Sequence, residues 1–273
     1  MFILNLRAQA CAMALLLSCA LAASSQARPL NTPSSVEQVL DIPFTQGGHQ
    51  RVLLIAPTHP KATIIMLPGG AGDVGLSRDG TLHHADNFVV RTRALWVARG
   101  YAVLIPDTIN RASLRGVRSS ASYGNLVESL IQLAHQEVAV PVFLLGTSQG
   151  SIAAMNGAAH AANGSLAGVI LTESVSVLGG SHETVFNADP AGVRVPVLVV
   201  ANSNDRCRVA PPRMAPQIAA ATTNSPHVEI LEVSGGVTQS RQDCGSLTPH
   251  GYYGIEDQVV GLISAWIQSN LHK

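Results

Sequence analysis

Short apolar runs recur at residues 52–55, 63–67, 102–105, 140–145, 168–172, 195–201 and 228–233, each bounded by turn-forming residues, which is the pattern of buried strands. Between them, residues 87–99, 125–135, 148–161, 212–221 and 253–271 carry apolar positions at helical spacing. The last segment places Ile255, Val259, Leu262, Ile263 and Trp266 on one stripe, so that helix docks on a core. Several strands are nearly continuous in valine, isoleucine and leucine, as strands covered on both faces are. Such alternation predicts an α/β fold, a mainly parallel central sheet with helices on both faces. No internal repeat or linker follows residue 28, so the prediction is one domain over residues 28–273.

The first residues follow a different pattern. Arg7 is the only charge before residue 28, residues 8–23 are mostly alanine and leucine, and Ser25-Gln26-Ala27 offers small residues at the −3 and −1 positions of a cleavage site. The apolar run falls short of the roughly 20 residues needed to span a bilayer. Residues 1–27 therefore read as a secretory signal peptide, leaving a secreted or periplasmic protein with no transmembrane segment. Leu16-Leu17-Ser18-Cys19 is a poorer match to a lipoprotein processing site, and anchoring through Cys19 is the minor alternative.

Composition narrows the classes. The chain has 273 residues, 47% of them hydrophobic and 12% charged, with 17 basic residues against 17 acidic ones. That is too apolar for a disordered chain, and no basic block marks a nucleic-acid partner. Loss of Arg7 with the signal peptide leaves the mature chain weakly acidic. Cys11 and Cys19 depart with it, and the remaining pair, Cys207 and Cys244, is expected to form a disulfide in an oxidising compartment. Two isolated cysteines lack the local spacing that zinc requires.

The strongest motif is Gly146-Thr147-Ser148-Gln149-Gly150, which fits G-x-S-x-G between an apolar strand and a helix rich in small residues. Strand, sharp turn and helix are the setting in which a serine Oγ is presented on a strained elbow. Glycines two residues either side of Ser148 let strand and helix pack closely. The Gln149 backbone N–H, at the start of the helix, is then an oxyanion donor.

With these features the mature chain resembles the α/β-hydrolase superfamily, with a dienelactone-hydrolase/lipase-type core and little or no cap domain. The family order of serine, acid and histidine, each after a later strand, implies a catalytic triad. Asp205, after the 195–201 strand, matches the acid, and His250, before the final helix, matches the histidine. His250 would take the proton from Ser148, and Asp205 would orient the imidazole and stabilise the imidazolium. Glu173, after the 168–172 strand, is the rival acid. A Cys207–Cys244 bridge would tie the acid loop to the histidine loop.

A second glycine cluster follows the 63–67 strand. Gly70, Gly72 and Gly75 match G-x-G-x-x-G, but no helix begins at once and no Lys-Ser/Thr pair follows, so neither a dinucleotide site nor a P-loop is expected, and no cofactor is assigned. In the hydrolase reading this loop supplies the second oxyanion donor. Pro68 stands where the family often has histidine, with Gly70 the first choice as donor and Ala71 the next. A metal site at His83, His84 and Asp86 has no further ligand set converging on it, and none is expected.

The stretch 174–194 is too short for a helical cap, which implies an open cleft. Val175, Val177, Leu178, Val185 and Phe186 are candidates for one apolar wall of it, or for core packing, and residues 73–86 for the other wall. The expected function is a secreted serine hydrolase, a carboxylesterase working through an acyl-enzyme on a small acyl ester. A peptidase or acyltransferase on the same triad is the alternative, as is a non-catalytic binding protein on the same fold.

Overall fold

The computed structural model describes residues 35–43 and 49–271, which belong to one unit running Pro33–Lys273. The predicted signal peptide and Cys19 lie outside the described residues. Eight strands form one sheet: β1 (Ser35–Pro43), β2 (His49–Pro57), β3 (Thr63–Leu67), β4 (Ala102–Pro106), β5 (Val142–Thr147), β6 (Gly168–Thr172), β7 (Val197–Asn202) and β8 (Val228–Val233). Their order is β1-β2-β4-β3-β5-β6-β7-β8. The β1–β2 and β2–β4 pairs are antiparallel and every other pair is parallel.

The helices are α1 (Phe88–Arg91), α2 (Arg93–Ala98), α3 (Ala121–Glu137), α4 (Gly150–His160), α5 (Ala215–Ala221) and α6 (Glu256–Asn270). Every residue of β3, β4, β5, β6 and β7 is buried, so the continuous apolar runs do mark a sheet covered on both faces. Alternate residues feed two cores. Ile65, Leu67, Leu144, Val169 and Val199 pack with α3, α4 and α5. Ile64, Met66, Phe143, Ile170 and Leu198 pack with α1, α2 and α6, where Trp96 and Ile263 are buried.

Two elements depart from the sequence expectation. The single helix predicted over 87–99 is broken at Thr92, whose hydroxyl donates to Phe88 O at 2.7 Å and accepts from Trp96 Nε1 at 3.1 Å. Strand β1 was not predicted. It lies at the sheet edge with Val36 exposed, and full-length backbone pairing with β2, rather than burial, supports it.

Candidate active site

The parallel strands β3 to β7 end on one side of the sheet, and the loops leaving them carry the candidate residues. Between β5 and α4 the backbone turns sharply at Ser148, which has φ +56°, a left-handed conformation that L residues adopt at a cost of about 1–3 kcal/mol. The turn is held from below. Ser148 N donates to Thr172 O at 2.9 Å, and the Ser148 carbonyl accepts from Ser151 N at 3.0 Å and from Ser151 Oγ at 2.5 Å. The flanking glycines are sterically required. A Cβ on Gly150 would lie 1.9 Å from Leu67 O, and one on Gly146 would lie 2.2 Å from Gly150 O.

His250 sits in the 3-10 turn Pro249–Gly251, capped by the Thr248 hydroxyl, which accepts from His250 N at 3.1 Å. Asn202, at the end of β7, donates through Nδ2 to Pro249 O and to Gly235 O, at 3.0 Å each. On the other side Arg91 of α1 donates to Gly251 O at 2.8 Å and pairs with Glu256 at 2.9 Å. A side chain on Gly251 would meet Ser246 O at 1.9 Å. The histidine loop is thus anchored by distant elements as well as by itself.

His250 Nδ1 bonds Asp205 Oδ2 at 2.7 Å, with both side chains almost fully buried. The other Asp205 oxygen accepts from Cys207 N at 2.7 Å. Of the two carboxylates considered from sequence, Asp205 is therefore the one on the imidazole. Glu173 is not idle, since its carboxyl lies beside this pair and Oε1 accepts from Asn202 N at 2.8 Å. Burial, then the neighbouring Asp205 charge, push the Glu173 carboxyl well above its usual value. Cys207 and Cys244 are bonded, joining the Asp205 loop to the histidine loop.

Ser148 and His250 line the same cavity of about 350 Å³. His250 Nε2 is buried and has no hydrogen-bond partner among the described residues, so Ser148 and His250 are not hydrogen-bonded in this conformation. In unliganded sites such bonds are often long and tighten with substrate. Gly70 lines the cavity with φ +60°, and Gln149 is buried at the start of α4. Neither backbone N–H donates to a protein acceptor among the described residues, so both are free to meet an incoming oxygen.

Three supports gave no signal in the sequence. Arg118, fully buried, donates to Pro68 O and to Gln149 Oε1, at 3.2 Å each, so one guanidinium spans the two loops that carry the candidate oxyanion donors. Burial lowers its pKa, opposed by Tyr123 and Glu183. A Cβ on Gly72 would meet Leu114 at 2.6 Å and Arg118 at 3.0 Å, which gives that glycine a packing role. Asp107, after β4, accepts from the backbone N–H groups of Val74 at 3.0 Å and Leu76 at 2.7 Å, pinning the far half of the glycine loop. Arg91 is the third. Each sits in an ordinary local context, and only the packing reveals its partners.

The loop after β3 does form a wall of the cavity, through Asp73, Val74, His83, His84 and Asp86. The apolar candidates of the 174–194 stretch do not. Val175 and Val185 join the core, Val177, Leu178 and Phe186 are exposed, and none lines the cavity, because the segment packs over α4 instead. Among the described residues the one metal-capable trio is Glu173, Asp205 and His250, whose ligating atoms lie within 4.8 Å of one another. His250 Nδ1 and Asp205 Oδ2 are already committed to each other, so the trio is better described as a hydrogen-bonded cluster than as a metal cage. His83, His84 and Asp86 do not form such a group.

No protein-family profile matches the sequence, and no curated protein matches it by sequence. Solved structures match the fold. Dienelactone hydrolase from Anabaena variabilis is 15% identical, with a TM-score of 0.61 over 87% of this chain and 99% of its own. An esterase from Pyrococcus furiosus is 10% identical, with a TM-score of 0.59 over 86% of this chain and 93% of its own. A serine hydrolase without a lid from Xanthomonas campestris is 11% identical, with a TM-score of 0.59 over 87% of this chain and 96% of its own. At these identities the likeness is one of fold, and the fold is that of the α/β-hydrolases.

Proposed function

We propose that the protein is a serine hydrolase acting on small carboxylic esters, with Ser148 as nucleophile, His250 as general base and acid, and Asp205 as the group that orients and stabilises the imidazole. One observation carries the reading. The His250–Asp205 bond at 2.7 Å leaves Nε2 unpartnered on a cavity that a left-handed Ser148 also lines. The esterases and hydrolases among the structural neighbours support the same reaction class.

In this mechanism Ser148 Oγ attacks the ester carbonyl carbon while its proton passes to His250 Nε2. The carbonyl π pair becomes an oxyanion that accepts from the backbone N–H groups of Gln149 and Gly70. Collapse expels the alkoxide, which leaves as alcohol with the proton from His250. Water, deprotonated by His250, then hydrolyses the acyl-enzyme. A cavity of about 350 Å³ lies near the small end of ligand pockets, which favours compact acyl groups.

Export belongs to the same proposal. The signal-like residues 1–27 and the Cys207–Cys244 bond both suit an oxidising compartment. No helix among the described residues is long and apolar enough to cross a membrane.

The test is fluorophosphonate labelling of the purified mature protein, with the adduct mapped by peptide mass. Labelling at Ser148, abolished in Ser148→Ala and slowed by about 10³-fold or more in His250→Ala, would support the assignment. A folded, disulfide-intact protein that takes no label would defeat it and favour a binding protein on the same fold.

A further inference from the structure

One buried acid has no part in the mechanism above. Glu173 directly follows β6 in a left-handed conformation, φ +44°, at a position where glycine would be at ease, and it is 1% exposed. Oε1 is satisfied by Asn202 N, but Oε2 is buried without a donor among the described residues. The groups facing this carboxyl are Asp205 from the loop after β7, His250 and Tyr252 from the turn before α6. The Tyr252 hydroxyl is placed to donate to Val200 O at 3.3 Å, and it also lies near enough to the Glu173 carboxyl to oppose part of the rise in its pKa, without outweighing burial and Asp205.

A buried carboxylate oxygen beside another carboxylate has one inexpensive remedy, a proton. Two adjacent carboxyls in a dry site do not both ionise. Asp205 is the better anion, since it accepts from Cys207 N and from His250 Nδ1, while Glu173 accepts one backbone N–H. Resting on the hydrolase reading, we infer that Glu173 is a positioning residue: a neutral carboxylic acid whose Oε2–H donates to the Asp205 carboxylate and holds it in line with His250. The two carboxyls together carry one proton and one negative charge. Burial and the adjacent charge both push Glu173 in the direction this requires. The rival acid of the sequence thus becomes the support of the acid that was chosen.

The experiment compares wild type with Glu173→Gln and Glu173→Ala in the pH dependence of kcat/KM for a p-nitrophenyl ester, together with difference infrared spectra at pH 7. A glutamine amide can donate as the protonated acid does. Glu173→Gln is therefore expected to recover most of the activity that Glu173→Ala loses. The alanine loss should be about 10- to 100-fold, in kcat more than in KM. In Glu173→Gln the acid limb set by His250 should stay within a few tenths of a pH unit. The wild type minus Glu173→Gln spectrum should show the carbonyl stretch of a protonated carboxyl. A fall in that limb by about one unit or more in Glu173→Gln would mean that an anionic neighbour had been removed, and would overturn the inference. So would a spectrum with only a carboxylate band, or wild-type activity in Glu173→Ala. Should Glu173→Ala fail to fold, Glu173→Gln and the spectrum decide alone. Should the protein prove inert towards esters and fluorophosphonate, the hydrolase reading fails while the spectrum still reports whether Glu173 holds its proton.

Discussion

The serine elbow and the histidine loop reach the same cavity by opposite means. The elbow is local: one strand, one helix and a five-residue turn, with Gly146 and Gly150 admitting no side chain. The histidine loop is assembled from afar, by Asn202 of β7, Arg91 of α1, and a disulfide to the Asp205 loop across 37 residues of sequence. A turn that depends on steric fit tolerates no added atom and needs few ties, here Ser148 N to Thr172 O and the close approach of Gly150 to Leu67. A loop that depends on several ties degrades in steps as they are removed. This difference suits the chemistry proposed, since the nucleophile must be presented rigidly while the imidazole must swing slightly between serine and leaving group.

The contrast can be broken experimentally. Gly150→Ala should have the largest effect, because its Cβ would sit 1.9 Å from the Leu67 carbonyl. We expect destabilisation of about 4 kcal/mol or more, read by denaturant melts and by the yield of folded protein. A Gly150→Ala protein as stable as wild type would sink the steric account of the elbow.

Replacing Cys207 and Cys244 together by serine should cost about 3–4 kcal/mol, from the chain entropy restored to a 37-residue loop. Activity at low temperature should fall far less than in Ser148→Ala. Thermal melts with and without reductant on the wild type check the same bond independently.

Arg91→Ala removes a charged donor to the Gly251 carbonyl and the pair with Glu256. Arg91 and Glu256 are both partly exposed, so we expect about 1–2 kcal/mol, with a loss in kcat rather than KM. A greater loss of stability than in the cysteine double variant would reverse the ranking of the ties.

The last effect is a slope with pH, small over any single pH unit. Glu173 has its folded-state pKa raised, so the stability it contributes is fully present below its unfolded value of about 4.5 and is lost as pH rises towards the folded value. Wild type should therefore lose stability relative to Glu173→Gln by about 1.4 kcal/mol per pH unit over that window. Urea melts at several pH values read the slope, and a slope of the opposite sign would mean that Glu173 is ionised in the fold.

Much of this molecule was legible in the chain. The seven apolar runs named in sequence are all strands; five of them, β3 to β7, are buried throughout and so must be written in apolar residues, whereas β8 is largely exposed and rests on its parallel pairing with β7. The elbow at Ser148 was legible for a related reason, since its motif, strand and helix are contiguous and the steric demands fall on Gly146 and Gly150. The candidate acid and histidine were found through chain order, and the cysteines by elimination.

What the sequence left open is what depends on distant partners. Edge strand β1 is held by pairing rather than burial, and the break at Thr92 by hydrogen bonds from its side chain. The apolar residues of the 174–194 stretch look alike in sequence, and only packing divides them between core and solvent. Arg118, Asp107 and Arg91 are ordinary polar residues until folding aims them at Pro68, Val74 and Gly251. Glu173 and Asp205 were rivals in sequence because either loop could supply the acid. Only the fold brings both carboxyls to one imidazole and removes the water around them, and in that setting a carboxyl's proton depends on its neighbours rather than on its place in the chain.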